Sequence, residues 1–123
     1  MPNTKSTGLE NNLIERIIAS IADKKGNDIT VIDLQGFDHT IADFFVIADA
    51  TTNIQVKAIA DHIQRQISKN LKLRPWGVEG EENAEWILID YGDVIVHVFQ
   101  RPVREYYDIE GLWADAPIRK IEQ

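Results

Sequence analysis

Leu13, Ile14, Ile17, Ile18 and Ile21 recur at steps of three and four, the spacing that gathers side chains on one face of a helix. Thr7 and Glu10 precede them at the separation of a capping box, and Lys24-Lys25-Gly26 closes the pattern, so a first amphipathic helix is expected between these signals. The period then changes. "DITVIDL" (Asp28 to Leu34) and "FFVIADA" (Phe44 to Ala50) are short and apolar or β-branched, and read as two strands on either side of "QGFDHTIAD". Thr52 and Gln55 repeat the capping spacing at the head of a second helix. Its apolar stripe is Val56, Ile59, Ala60, Ile63, Ile67 and Leu71, and Lys57, Asp61, Arg65 and Lys69 follow at steps of four on a solvated face with alternating ion pairs.

After Pro75 a short strand is expected around "WGVEG", then the polar turn "EENAE", then a hairpin closed by Gly92-Asp93. That turn sets Tyr91 opposite Val94 and fixes the register outward: Asp90 with Ile95, Ile89 with Val96, Leu88 with His97, Ile87 with Val98, Trp86 with Phe99. One face is then almost pure core: Ile87, Ile89, Tyr91, Val94, Val96 and Val98. The other carries Trp86, Leu88, Asp90, Ile95, His97 and Phe99, a mixture not expected to be wholly buried, because each polar group would need a partner. Pro102 ends the strand, and "VREYYDIEGLW" reads as a short helix interrupted at Gly111. The tail after Pro117 is short and mixed in charge and carries no expected element. With no repeat or linker, residues 1–123 read as a single domain with its core at about 9–116. The expected class is α/β: a mixed β-sheet with flanking helices.

Composition changes this picture in two respects. The absence of cysteine excludes disulfide scaffolds, thiolate zinc sites and thiol catalysis. The charge is segregated: the chain is −7 overall, yet Glu79 to Glu110 holds nine carboxylates against two bases, and the remainder holds eleven of each. Such a field repels nucleic-acid phosphates and attracts a basic protein surface; the competing reading is a solvated surface kept acidic for solubility. "MPNTKSTGLENN" has neither the apolar core of a secretory signal nor the arginines of a transit peptide, and no apolar run approaches spanning length, so a cytoplasmic protein without membrane contact is expected.

Catalytic patterns are sparse. There is no Walker sequence and no GxGxxG. His39, His62 and His97 stand on separate elements, and Ser6, Ser20 and Ser68 lie on no strand-to-helix elbow. The enzyme alternative is metal-dependent nucleotidyl transfer, for which Glu79 and Glu81, two apart at a strand end, could hold cations. Asp108 and Glu110 could not, since residues two apart on a helix diverge, and the Gly-Ser pair of nucleotidyltransferases is missing.

Four ordered segments, "DFFVIADATTNIQVKAIADHI", "WGVEG", "AEWILIDYGDVIVHVF" and "REYYDIEGLWADA", closely resemble the ribosomal silencing factor, or Iojap-like, family across Leu9 to Ala116. The chain departs from that family at Gly111, where a longer Arg or Lys is more usual. The resemblance implies a nucleotidyltransferase-like topology without the activity, and no cofactor or metal. It also implies binding to ribosomal protein L-fourteen on the large ribosomal subunit, which blocks joining of the small subunit and represses translation under nutrient limitation. Little direct nucleic-acid contact is expected, and a homodimer of the free protein stays open.

The expected partner-binding residues are Trp76, Glu79, Asp90, Tyr91, His97 and Tyr107, which belong to these motifs and are polar or amphipathic within core-like strands. Each has a competing structural reading: a core aromatic for Trp76 and Tyr107, an internal hydrogen bond for His97. Tyr91 falls on the apolar face, at the turn end where its hydroxyl could reach solvent.

Overall fold

A computed structural model of the chain describes residues 8–123, so Thr7, half of the first expected capping pair, lies outside the described residues. The elements run α1 (Gly8–Asp23), β1 (Asn27–Asp33), β2 (Phe44–Ala50), α2 (Asn53–Leu71), β3 (Gly77–Glu79), β4 (Trp86–Asp90), β5 (Val94–Gln100), α3 (Arg101–Tyr107), α4 (Ile109–Leu112) and β6 (Ile118–Lys120). The six strands form one sheet in the order β3-β4-β5-β2-β1-β6. Among the described residues only β2 and β5 pair in parallel, so the sheet is mixed, as the patterning predicts.

The two central strands, β2 and β5, are buried on both faces, which explains why their sequences read as continuous apolar runs. Side chains alternating along them build two cores. One packs Val46, Ala48, Ile87, Ile89, Val96 and Val98 under α1 and α2; the other gathers Phe45, Ile47, Ile95 and Phe99 beneath the shorter elements at the C-terminus. The α2 stripe of Val56, Ile59, Ala60, Ile63 and Ile67 is fully buried, each isoleucine contributing about 2 kcal/mol of transfer free energy. Thr52 caps the helix by accepting from the Gln55 amide at 3.1 Å, but the Gln55 side chain donates instead to the carbonyls of Lys24 and Lys25, tying α2 to the end of α1. On the outer face Lys57 and Asp61 pair at 3.8 Å, whereas Arg65 and Lys69 have no ion-pair partner among the described residues.

The β4–β5 register is the one the turn predicts, from Trp86 opposite Phe99 to Asp90 opposite Ile95. Gly92 takes a φ of 88°, a left-handed conformation that favours glycine at this hairpin position, and Asp90 Oδ1 accepts from its amide at 2.7 Å.

Three features differ from the sequence expectations. The tail after Pro117 is an edge strand, β6, paired antiparallel with β1, so the sheet extends past residue 116. The terminal helix breaks at Asp108, not Gly111: Asp108 adopts φ 44° and folds its carboxylate back to accept from the Gly111 amide at 3.2 Å. A β-carbon at Gly111 would meet that carboxylate, so a longer residue here would require the Asp108 side chain to shift. Glu81 lies in the turn after β3 and not on the strand, so Glu79 and Glu81 do not project together as the enzyme alternative requires.

Candidate functional site

On the open side of the sheet edge, β3 and β4 set Glu79 opposite Leu88 and Gly77 opposite Asp90. Glu79 is exposed, and Leu88 and Trp86 are only partly covered. Proline early in α3 starts that helix directly after β5 and brings Tyr107 over the hairpin, its ring 5.0 Å from the Trp86 indole. Tyr106 meets Tyr107 edge-on at 5.0 Å. Tyr106 is 81% exposed and Tyr107 50%, so Tyr107 is a surface residue and not a core aromatic. Trp76 is also 81% exposed: its amide donates to the Asp90 carbonyl at 2.7 Å, and its ring lies across Gly92, within 3.0 Å of where a β-carbon would stand. Trp76, Tyr106 and Tyr107 thereby offer aromatic area to solvent, and Glu79, Glu82, Glu85 and Glu105 of the same stretch of chain are exposed too, Glu82 in a groove against α2.

Not every expected residue joins this surface. Asp90 is partly covered and caps the hairpin turn. Tyr91 is 9% exposed and packs in the core under α2; its hydroxyl is buried and has no hydrogen-bond partner among the described residues, and burial pushes its pKa up to about 12. The hydroxyl does not reach solvent, because the register that places Tyr91 with Ile87 and Ile89 also places it beneath the helices. His97 is 4% exposed, enclosed by Phe45 at 4.6 Å and Phe99 at 6.2 Å. It makes the internal hydrogen bond of the competing reading: the Trp86 Nε1–H donates to its Nδ1 at 3.1 Å. Both side chains are buried in this fold.

Burial disfavours the imidazolium and holds the His97 pKa down at about 4, against an ordinary 6.5. Between those values the unfolded chain binds a proton at His97 that the folded protein refuses, so stability is retained above pH 6.5 and falls with acid through that window. The expected loss is on the order of 3 kcal/mol. Urea unfolding of the wild type and His97→Phe should therefore diverge as the pH drops from 7 to 4, the wild type losing more. A difference that stays constant with pH would contradict this.

A second cluster was not expected from the sequence. Asp49, 2% exposed on β2, receives Arg101 on Oδ1 at 3.1 Å and Arg104 on Oδ2 at 2.9 Å. Arg104 uses all five of its N–H donors: on Asp49, on the Asp28 carbonyl at 2.8 Å, on Thr30 Oγ1 at 3.1 Å, and on both Glu110 oxygens. The Asp28 carbonyl is turned inward by a bulge between Asn27 and Thr30, where Asp28 has φ 50°. Burial alone would lower the Arg104 pKa, but hydrogen bonding and charge from Glu110 and Asp49 outweigh it and raise the value. A cleft of about 340 Å³ beside this cluster is lined by Asp49, Arg101, Arg104 and Glu110 together with Glu105, Asp108 and Lys120. Elsewhere Glu10 on α1, Asp43 just before β2 and Asp93 in the hairpin turn bring carboxylate oxygens within 4.8 Å of one another, a donor set that could hold a cation. Among the described residues no helix is long and apolar enough to cross a membrane.

Comparison with known proteins places this geometry in context. A family model described as "Ribosomal silencing factor during starvation" matches residues 8–123. The ribosomal silencing factor RsfS of Bacillus subtilis is 36% identical over 113 residues, covering 92% of this chain and 94% of that protein. The crystal structure of protein CV0518 from Chromobacterium violaceum superposes with a TM-score of 0.79 at 38% identity, covering 85% of each chain. A mouse protein named "Mitochondrial assembly of ribosomal large subunit protein 1" is 27% identical over 103 residues, which span 44% of its length.

Proposed function

The chain belongs to the ribosomal silencing factor family, and from that premise we propose that it binds the large ribosomal subunit through ribosomal protein L-fourteen. Occupying the face where the small subunit docks, it prevents subunit joining and represses translation when nutrients are limiting. It acts in the cytoplasm as a binding protein and not as an enzyme, with little direct nucleic-acid contact. A homodimer of the free protein belongs to the same reading.

The observation that carries this reading is that Trp76, Tyr106 and Tyr107 are exposed, as are Glu79 and further carboxylates of the same stretch of chain. Large rigid aromatics bury area at low entropic cost, and carboxylates around them complement a basic partner and steer its approach. The name of the mouse relative, which speaks of large-subunit assembly, supports the same subunit. Metal-dependent nucleotidyl transfer has less support, since Glu81 stands off the strand that carries Glu79.

Binding of the protein to purified L-fourteen tests the reading. A saturable one-to-one complex is expected, weakening as salt rises, with Glu79→Lys reducing affinity most at low ionic strength. Absence of a complex, or an affinity indifferent to both salt and Glu79, would contradict it.

A further inference from the structure

His97 is costly where it stands. The indole N–H of Trp86 can only donate, so the Nδ1 it reaches must be an acceptor, and the remaining proton of the neutral ring sits on Nε2. That nitrogen is buried and has no hydrogen-bond partner among the described residues. An unpaired buried donor is unfavourable; a phenyl ring between Phe45 and Phe99 would remove it, leaving instead only the partly buried Trp86 N–H without its acceptor. The fold therefore keeps a polar group in an aromatic niche whose packing does not need one.

What the imidazole does secure is Trp86. The two residues are diagonal neighbours across the β4–β5 pair, since Trp86 lies opposite Phe99 and Leu88 opposite His97. The indole is held at its N–H by His97, rests on Phe99 at 4.8 Å, and supports Tyr107 at 5.0 Å, which in turn meets Tyr106. Without the hydrogen bond the indole would keep its packing area but lose the contact that fixes its orientation in its plane. The geometry points to His97 as a positioning residue of the docking face: from inside the core it sets the Trp86 indole against which Tyr107 presents its ring to the ribosomal partner. This rests on the function proposed above.

The test uses the full chain with His97→Phe, which removes the acceptor and keeps the aromatic packing, and His97→Asn, whose side-chain oxygen can stand near the former Nδ1. Three quantities are read on each protein: affinity for isolated large subunits, thermal midpoint, and the proton resonance of the Trp86 indole N–H. For His97→Phe the expected result is a binding loss of about tenfold, an unchanged or higher midpoint, and a shifted, faster-exchanging indole signal. His97→Asn should recover a hydrogen-bonded indole signal and most of the affinity even if its midpoint falls. A purely structural role predicts the reverse order, with affinity following the midpoint, and that outcome would overturn the inference. So would an unchanged indole signal in His97→Phe, or full affinity despite an altered one. Failure of the unaltered protein to bind would instead remove the functional reading, and this inference with it.

Discussion

Replacing Arg104 with alanine is expected to lower the free energy of unfolding by about 3–5 kcal/mol, the largest stability change of any single substitution considered for this molecule. The reason is what would remain behind. Asp49 is 2% exposed, and without Arg104 its Oδ2 would keep a buried charge with only Arg101, on the other oxygen, to answer it. The Asp28 carbonyl, Thr30 Oγ1 and the Glu110 carboxylate would lose donors at the same moment, and with them α3 and α4 would lose their tether to β1. Domains of this size have stabilities of roughly 5–15 kcal/mol, so the loss is a large share of the whole. Urea unfolding measures it as a lower midpoint at an unchanged slope. Substituting both ends with apolar residues, as in Arg104→Met with Asp49→Leu, should cost less than Arg104→Ala alone, because no charge is stranded. A double substitution as damaging as the single one would show that the network stabilises by more than mutual compensation.

Trp76→Ala and Tyr107→Ala are expected each to weaken binding to the large subunit at least about tenfold while moving the thermal midpoint by no more than about 2 °C. The two parts of that expectation have different sources. The binding loss follows from truncating an aromatic anchor, typically on the order of 2 kcal/mol when it lies centrally in an interface. The intact midpoint follows from exposure: Trp76 rests on Gly92 and otherwise faces solvent, and Tyr107 covers one side of Trp86 while half of its surface stays open. Trp86 itself is a poorer probe, since removing it would also open the second core around Phe99 and His97. Melting and binding must be measured on the same preparations. Normal binding by both variants would place the contact elsewhere on the surface.

The hairpin was legible because a two-residue turn with glycine fixes register, and register fixes which side chains share a face; every pair from Trp86 opposite Phe99 to Asp90 opposite Ile95 followed from that rule. The long helices α1 and α2 were legible from their period and their capping signals. The edge strand β6 was not, because Ile118, Arg119 and Lys120 are exposed and carry the charges that protect a sheet edge, erasing the alternation by which strands are recognised. Glycine is the usual interrupter, so the sequence points to Gly111, whereas here Asp108 adopts the left-handed conformation and uses its carboxylate as the next cap.

The Arg104 cluster did leave a trace. In "FFVIADA" the strand period puts Asp49 on the side of Phe45 and Ile47, and a carboxylate among buried apolar neighbours calls for a cation. Which cation could not be read, since Arg104 lies 55 residues away. Tyr91 and His97 illustrate the opposite difficulty. Their motifs marked them as exceptional, but only the covering of β5 by the C-terminal elements shows that His97 lies behind the surface, and only the helices above Tyr91 show that it does not reach it.

Sedimentation of the tagged protein with ribosomes is the most direct measurement of the central claim. On a gradient of mixed subunits under joining conditions, the protein should travel with free large subunits, lower the yield of joined ribosomes as its concentration rises, and be depleted from polysomes. Equal distribution among small subunits, large subunits and polysomes, with joining unaffected, would contradict the account.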